Sequence, residues 1–148
     1  MYKHILIPTD GSELAHKAVM HGLALAKSVG ARVTVVTATR MWSPMAMAGQ
    51  VRLHEQHPVE DYEAKSAQWA RHVLEGPEAE AKQAGVACAA VHANDMDADA
   101  AIVETAKMRG CDLIVMSSHG RGSIGRLLLG SVALKVLTTT TIPVQIVR

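Results

Sequence analysis

Four short, nearly continuous apolar runs, ILI from Ile5, VTVV from Val33, LIVM from Leu113 and VQIV from Val144, are separated by stretches with helical spacing. Runs of this kind belong to strands covered on both faces, whereas recurrence every three or four residues marks one buried helix face. The pattern predicts a strand over His4 to Ile7, then a turn at Asp10, Gly11 and Ser12. Glu13 follows Asp10 at the spacing of a capping box. Leu14, Ala18, Gly22, Leu25, Ala26 and Val29 place a helix before Gly30, a residue suited to the positive φ of a helix C-terminus. A second strand is predicted over Arg32 to Thr39, rich in β-branched residues, and a long loop over Met41 to Pro58, where periodicity lapses. The second helix is expected over Glu60 to Lys82, broken or kinked at Gly76 and Pro77. A strand over Val86 to His92 and a helix over Ala98 to Arg109, ended by Gly110, come next. The chain closes with a strand over Asp112 to Met116, a helix from Ser131 to Thr139 and a strand over Pro143 to Val147.

Five strands alternating with four helices imply an α/β fold, a single open parallel sheet doubly wound with helices on both faces. Ligands of such sheets bind beyond the carboxyl ends of the strands, where the strand order reverses. Two strand ends carry candidate chemistry. Pro8, Thr9 and Asp10 follow the first strand, and the segment SSHGRGSIGRLLLGS, Ser117 to Ser131, follows the fourth. In that segment Gly120, Gly122 and Gly125 remove the Cβ atoms that keep backbone N–H groups away from an anion. Arg121 and Arg126 add positive charge, and Ser131 opens the last helix, as its cap or as a hydroxyl donor to phosphate. Gly125 to Ser131 lacks the lysine of a Walker A motif, and GxGxxG from Gly120 lies too far from its helix for the dinucleotide fingerprint.

Composition narrows the choice. The 148 residues are 49% hydrophobic and 20% charged, enough for one packed domain spanning 1–148. Fifteen basic residues against 14 acidic ones, dispersed along the chain, argue against a nucleic-acid surface. No apolar run approaches the roughly 20 residues of a membrane span, and the N-terminus turns polar too soon for a signal peptide. A soluble, cytoplasmic protein is expected. Cys88 and Cys111 lack CxxC spacing and read as packing residues. His54, Glu55 and His57 have no second ligand pair to make a zinc site, while Met41, Trp42, Met45 and Met47 suit loop packing or a lid over a base. His119 lies inside the glycine-rich loop, where it contacts phosphate or orders the loop.

Together, IPTDGS from Ile7, CDLIVMSSHGRG from Cys111, LLLGSVALKVL from Leu127 and PVQIV from Pro143 make the chain similar to the universal stress protein family over its whole length. The family's nucleotide-binding branch carries a glycine, two residues, a second glycine, nine residues, then glycine with serine or threonine. Here Gly120, nine residues, Gly130 and Ser131 keep the later parts, and Ser117 replaces the first glycine. The resemblance implies strand order 3-2-1-4-5, the adenine nucleotide alpha hydrolase-like arrangement. It further implies ATP or another adenine nucleotide as ligand, with or without Mg2+. Adenine would lie near Ala38, and Asp10 would face the ribose or a metal. Met116, Ser117, Gly120, Gly130, Ser131 and Val132 would line the phosphates, with Pro8, Thr9, His119, Arg121 and Gly122 beside them. No catalytic residue and no protein-bound metal are assigned. Without a P-loop lysine or an identifiable base, any hydrolysis is expected to be slow. The competing readings are a nucleotide-free dimeric interaction module and, less favoured, an α/β enzyme such as a nucleotidyl transferase or phosphatase. The apolar strand 142–147 is expected to pair with a second copy, as relatives of this kind do.

Overall fold

The structure, a computed structural model, describes residues 1–40, 58–120 and 129–148. Its elements are β1 (His4–Pro8), α1 (Glu13–Val29), β2 (Arg32–Thr39), α2 (Pro58–Ala84), β3 (Cys88–Asn94), α3 (Ala98–Arg109), β4 (Leu113–Ser117), α4 (Ser131–Thr139) and β5 (Val144–Val147). The five strands form one parallel sheet in the order β3-β2-β1-β4-β5. The anticipated architecture is therefore present.

Alternation along the strands sends successive side chains to opposite faces and so builds two core layers. Ile5, Ile7, Val33, Val35, Leu113 and Val115 pack with Val19 and Leu23 of α1 and with Leu74 and Ala81 of α2. On the other face Leu6, Val36, Ile114 and Met116 pack with Ile102 and Ala106 of α3 and Val136 of α4. Cys111 is buried in this second layer, and burial, reinforced by Asp112, pushes its thiol up to about 11. Cys88 sits at the margin of the first layer, its thiol also raised by burial and by Glu78. Both stay neutral, as packing residues should.

Several local expectations are corrected. α2 runs unbroken for 27 residues with Pro77 inside it. Pro77 is itself buried, and Leu74 and Ala81 on either side anchor the helix to the sheet, so tertiary packing outweighs the lost hydrogen bond. Pro58 begins this helix rather than ending the loop. That is the position where a missing N–H costs nothing. β3 lies two residues later than expected, because its edge position leaves an alanine-rich, half-buried run with little contrast to mark its ends. The cap of α1 is Ser12, whose Oγ accepts from Ala15 N at 3.2 Å, and not Asp10. Asp10 Oδ1 accepts instead from Ser12 N at 2.9 Å, ordering the turn ahead of the helix. The cap of α4 is Gly130, without a side-chain cap, and Ser131 is the first helical residue. Among the described residues no helix is long and apolar enough to cross a membrane.

Candidate functional site

β1 and β4 are neighbours whose chain connections leave in opposite directions, β1 toward β2 and β4 toward β5. Loops diverging from two such strand ends leave a crevice between them. A cleft of about 640 Å³ lies there, within the roughly 300–1,000 Å³ of small-molecule sites.

Four elements supply the expected residues. The β1 end contributes Pro8, Thr9 and Asp10. β2 contributes Ala38. β4 and the residues beyond it contribute Met116, Ser117, His119 and Gly120, and the start of α4 contributes Gly130, Ser131 and Val132. Arg121 and Gly122 lie outside the described residues, as do the methionine, tryptophan and histidine positions of the loop after β2. A further wall was missed in the sequence: Ala98, Ala101 and Ile102 of α3, together with Val36 and Thr37 of β2 and the buried Ser118. The signal for it was the alanine-rich first turn of α3, which begins four residues after β3 ends, at the same edge of the sheet.

The cleft has two chemically different ends. Val36, Ala38, Ala101, Ile102 and Met116 give one an apolar lining suited to a flat heterocycle. The other end is polar and is closed by main-chain contacts. Gly130 N donates to Ser118 O at 2.7 Å, and Ser118 N donates to Val147 O at 2.9 Å. The first helical bond of α4 runs from Leu134 N to Gly130 O. Ser131, Val132 and Ala133 therefore have their N–H groups outside the helical ladder, at the positive end of the helix dipole.

Glycine serves here by giving room. Gly120 and Gly130 both keep negative or extended φ, unlike Gly30 and Gly110 at helix ends. A Cβ on Gly120 would stand 2.9 Å from Asp10 Oδ2, and one on Gly130 would stand 3.0 Å from Ser118 O. The loops from β1 and β4 thus touch over the cleft floor. Ser117 needs no glycine either, since Asp95 is the sole described non-glycine residue with positive φ. Its Oγ donates to His119 O at 2.8 Å.

Two polar atoms of the lining are buried without a hydrogen-bond partner, Thr37 Oγ1 and His119 Nε2. Each such atom costs about 1–3 kcal/mol. Asp10 is the carboxylate of the cleft, and the described residues hold no group of three potential metal ligands.

Comparison with known proteins matches this arrangement. The model of the universal stress protein family matches residues 1–148. Universal stress protein YxiE of Bacillus subtilis is 30% identical over 150 residues, covering the whole of both chains. The solved structure of MJ0577 from Methanocaldococcus jannaschii superposes with a TM-score of 0.83 at 26% identity, covering 99% of this chain and 96% of that one. The universal stress protein from Archaeoglobus fulgidus in complex with dAMP superposes with a TM-score of 0.72 at 17% identity, covering 99% and 98%. At that identity the likeness speaks to the fold. On the full-length match of sequence and sheet order together, the chain belongs to the universal stress protein family.

Proposed function

We propose that the protein binds ATP or another adenine nucleotide in the cleft between β1 and β4. The observation that carries this reading is the division of one cleft into an apolar end and a polar end bounded by the first-turn N–H groups of α4, which lie outside its helical ladder. The base fits against Ala38, Val36 and the α3 wall, and the phosphates fit at Gly130, Ser131 and Val132, where backbone donors and the helix dipole meet. Thr9, Asp10, Met116, Ser117, His119 and Gly120 complete the contacts, with Arg121 and Gly122 as further members. The A. fulgidus protein of the same fold is known in complex with dAMP, which makes adenine nucleotides the first ligands to test. Mg2+ would be held by the phosphates with Asp10, since magnesium keeps most of its waters and needs few protein ligands.

Turnover is at most slow. Among the described residues the cleft has one carboxylate, Asp10, whose Oδ1 accepts from Ser12 N, and the expectation of slow turnover follows from the missing P-loop lysine and the lack of an assigned base among these residues. Nucleotide released by denaturing the freshly purified protein, identified by mass spectrometry, tests the reading directly. An empty protein whose melting temperature millimolar ATP leaves unchanged would sink it. Gly130→Val, which drives side-chain atoms against Ser118 O, should abolish binding.

A second reading has its own observation. β5 is an edge strand with Ile142, Val144 and Ile146 half-buried, and Leu134 and Leu137 of the adjoining α4 are exposed. Such an apolar edge favours a homodimer through residues 142–147. This also serves the alternative, a nucleotide-free interaction module. Because both readings include a dimer, nucleotide content separates them and oligomeric state does not.

A further inference from the structure

A second cleft, of about 380 Å³, lies behind the turn from β1 to α1, between α1 and α2. Thr9 lines both clefts, Asp10 only the first, and Gly11 and Ser12 only the second, so this turn is the partition between them. Val19, Val73 and Pro77 are buried and make the floor, while the half-buried Trp69 and the exposed His72 stand higher on the wall. Two contacts hold α1 and α2 around it. His16 Nε2 and Glu80 Oε1 are hydrogen-bonded at 2.6 Å, and a Cβ on Gly11 would stand 3.1 Å from Val73 Cγ2. None of the described lining residues is Asp, Glu, Lys or Arg. Gly76, on the same wall, has no packing reason to be glycine: its φ is not positive, and a Cβ there would meet nothing within 4 Å. Glycine inside a helix costs about 1 kcal/mol against alanine. What its missing side chain leaves is open cleft.

We propose that the cleft between α1 and α2 is a second ligand site, taking an uncharged, flat heteroaromatic molecule of one or two rings. Its volume is that of a small-molecule site, and so is its build, an apolar floor with a few polar groups above. The Trp69 indole offers a ring for offset stacking or an edge contact. Ser12 Oγ accepts from Ala15 N, so its O–H remains to donate, and a neutral His72 ring carries one donor and one acceptor in either tautomer. These groups match the ring nitrogen and N–H of a heteroaromatic edge. A lining without fixed charge gives an ionised ligand nothing to offset its lost hydration. The site stands apart from nucleotide binding, with Thr9 as the residue common to the two clefts.

The experiment is NMR titration of the full chain at pH 8 with benzimidazole, which is neutral there, and with benzoate and benzylamine, which are charged. The indole N–H of Trp69, told apart from that of Trp42 by Trp42→Phe, should shift with benzimidazole and saturate with a dissociation constant of about 0.1–1 mM. Benzoate and benzylamine should bind at least about fivefold more weakly. Gly76→Leu, whose side chain fills the opening and favours the helix, should abolish the shift without lowering the melting temperature. His72→Ala, at an exposed position, should weaken benzimidazole about three- to tenfold and decides the matter if the leucine variant does not fold. A Trp69 resonance unmoved at about 10 mM benzimidazole overturns the proposal. So does an equal response to all three compounds, or a response undiminished in Gly76→Leu or His72→Ala. Nothing in this titration involves nucleotide, so this proposal and the nucleotide reading fail separately.

Discussion

Gly22 shows how closely α1 lies on the sheet. A Cβ there would stand 2.4 Å from Ile7 Cδ1 and 3.0 Å from its Cγ1, and Ile7 is fully buried and has little freedom to move aside. Alanine is the better helix former by about 1 kcal/mol, yet Gly22→Ala should destabilise by about 1–3 kcal/mol because the helix must lift. Removing Cδ1 gives the added methyl room, so urea unfolding of Gly22→Ala with Ile7→Val should show a combined loss smaller than the sum of the two. Additive losses would mean that the contact is relieved elsewhere. A second residue ties stability to pH. His4 is 6% exposed, and its Nε2 shares a 2.8 Å hydrogen bond with Thr34 Oγ1. Burial, helped by Arg32, holds the imidazole below its ordinary 6.5. The folded state thus prefers the neutral ring, and the unfolded chain takes up the proton first as pH falls. Stability from this site is full above about 6.5 and declines as pH drops toward the folded value. The urea midpoint should fall between pH 7.5 and 5.5, and His4→Gln should flatten that fall. An unchanged slope in the variant would place the proton uptake elsewhere. Asp112 acts in a lower window. Burial pushes its carboxyl up, but the N–H groups of Lys3 and His4, at 2.8 and 3.0 Å, outweigh this and leave it below its ordinary value. Its contribution is present above the unfolded carboxyl range and disappears in acid.

At the scale of elements, α2 carries a removable penalty. Gly76 is exposed, lies inside the helix without positive φ, and a Cβ added to it meets nothing within 4 Å. Gly76→Ala should therefore stabilise by about 0.5–1 kcal/mol, a rise of roughly 2–4 °C in Tm. No rise would mean that this turn is not helical in solution. Pro77 is a poor target by comparison, because its buried ring also packs. The helix illustrates which parts of the fold were legible in the sequence. β1, β2 and β4 announced themselves because their apolar runs are buried on both faces, and α1 because Gly30 takes the positive φ that its position required. Continuity of α2 was hidden, because Gly76 and Pro77 are local signals and the burial of Leu74 and Ala81 that overrides them is not local. The site divided in the same way. Residues at the ends of β1 and β4 could be chosen from glycine spacing and resemblance, whereas Thr37 and the α3 wall enter through the sheet order, which brings distant strands side by side. Capping-box spacing assigned the cap to Asp10, and only the bond from Ala15 N to Ser12 Oγ shows that the helix starts two residues later.

For the whole molecule the informative boundary is β5. Ile114 N donates to Pro143 O and Ser118 N to Val147 O, so residues 143, 145 and 147 direct their backbone groups toward β4. Val144 and Ile146 direct theirs outward, away from the sheet. If a second copy pairs there, Ile146→Pro removes an outward N–H and leaves the ladder to β4 intact. Light scattering should then give a dimer mass for the parent and a monomer mass for the variant; a parent that stays monomeric at high concentration ends the dimer proposal. The bond from Ser118 N to Val147 O spans only 2.9 Å. It joins the loop that holds His119 to the last residue of β5, the strand proposed above to pair with a second copy. Free energy exchanged between these places must run in both directions with equal size. If the chain binds nucleotide and also pairs through β5, any free energy by which nucleotide shifts the midpoint of a dilution series must be matched by an equal shift of nucleotide affinity with protein concentration. The assembly would report occupancy through its own mass balance, with no additional sensor.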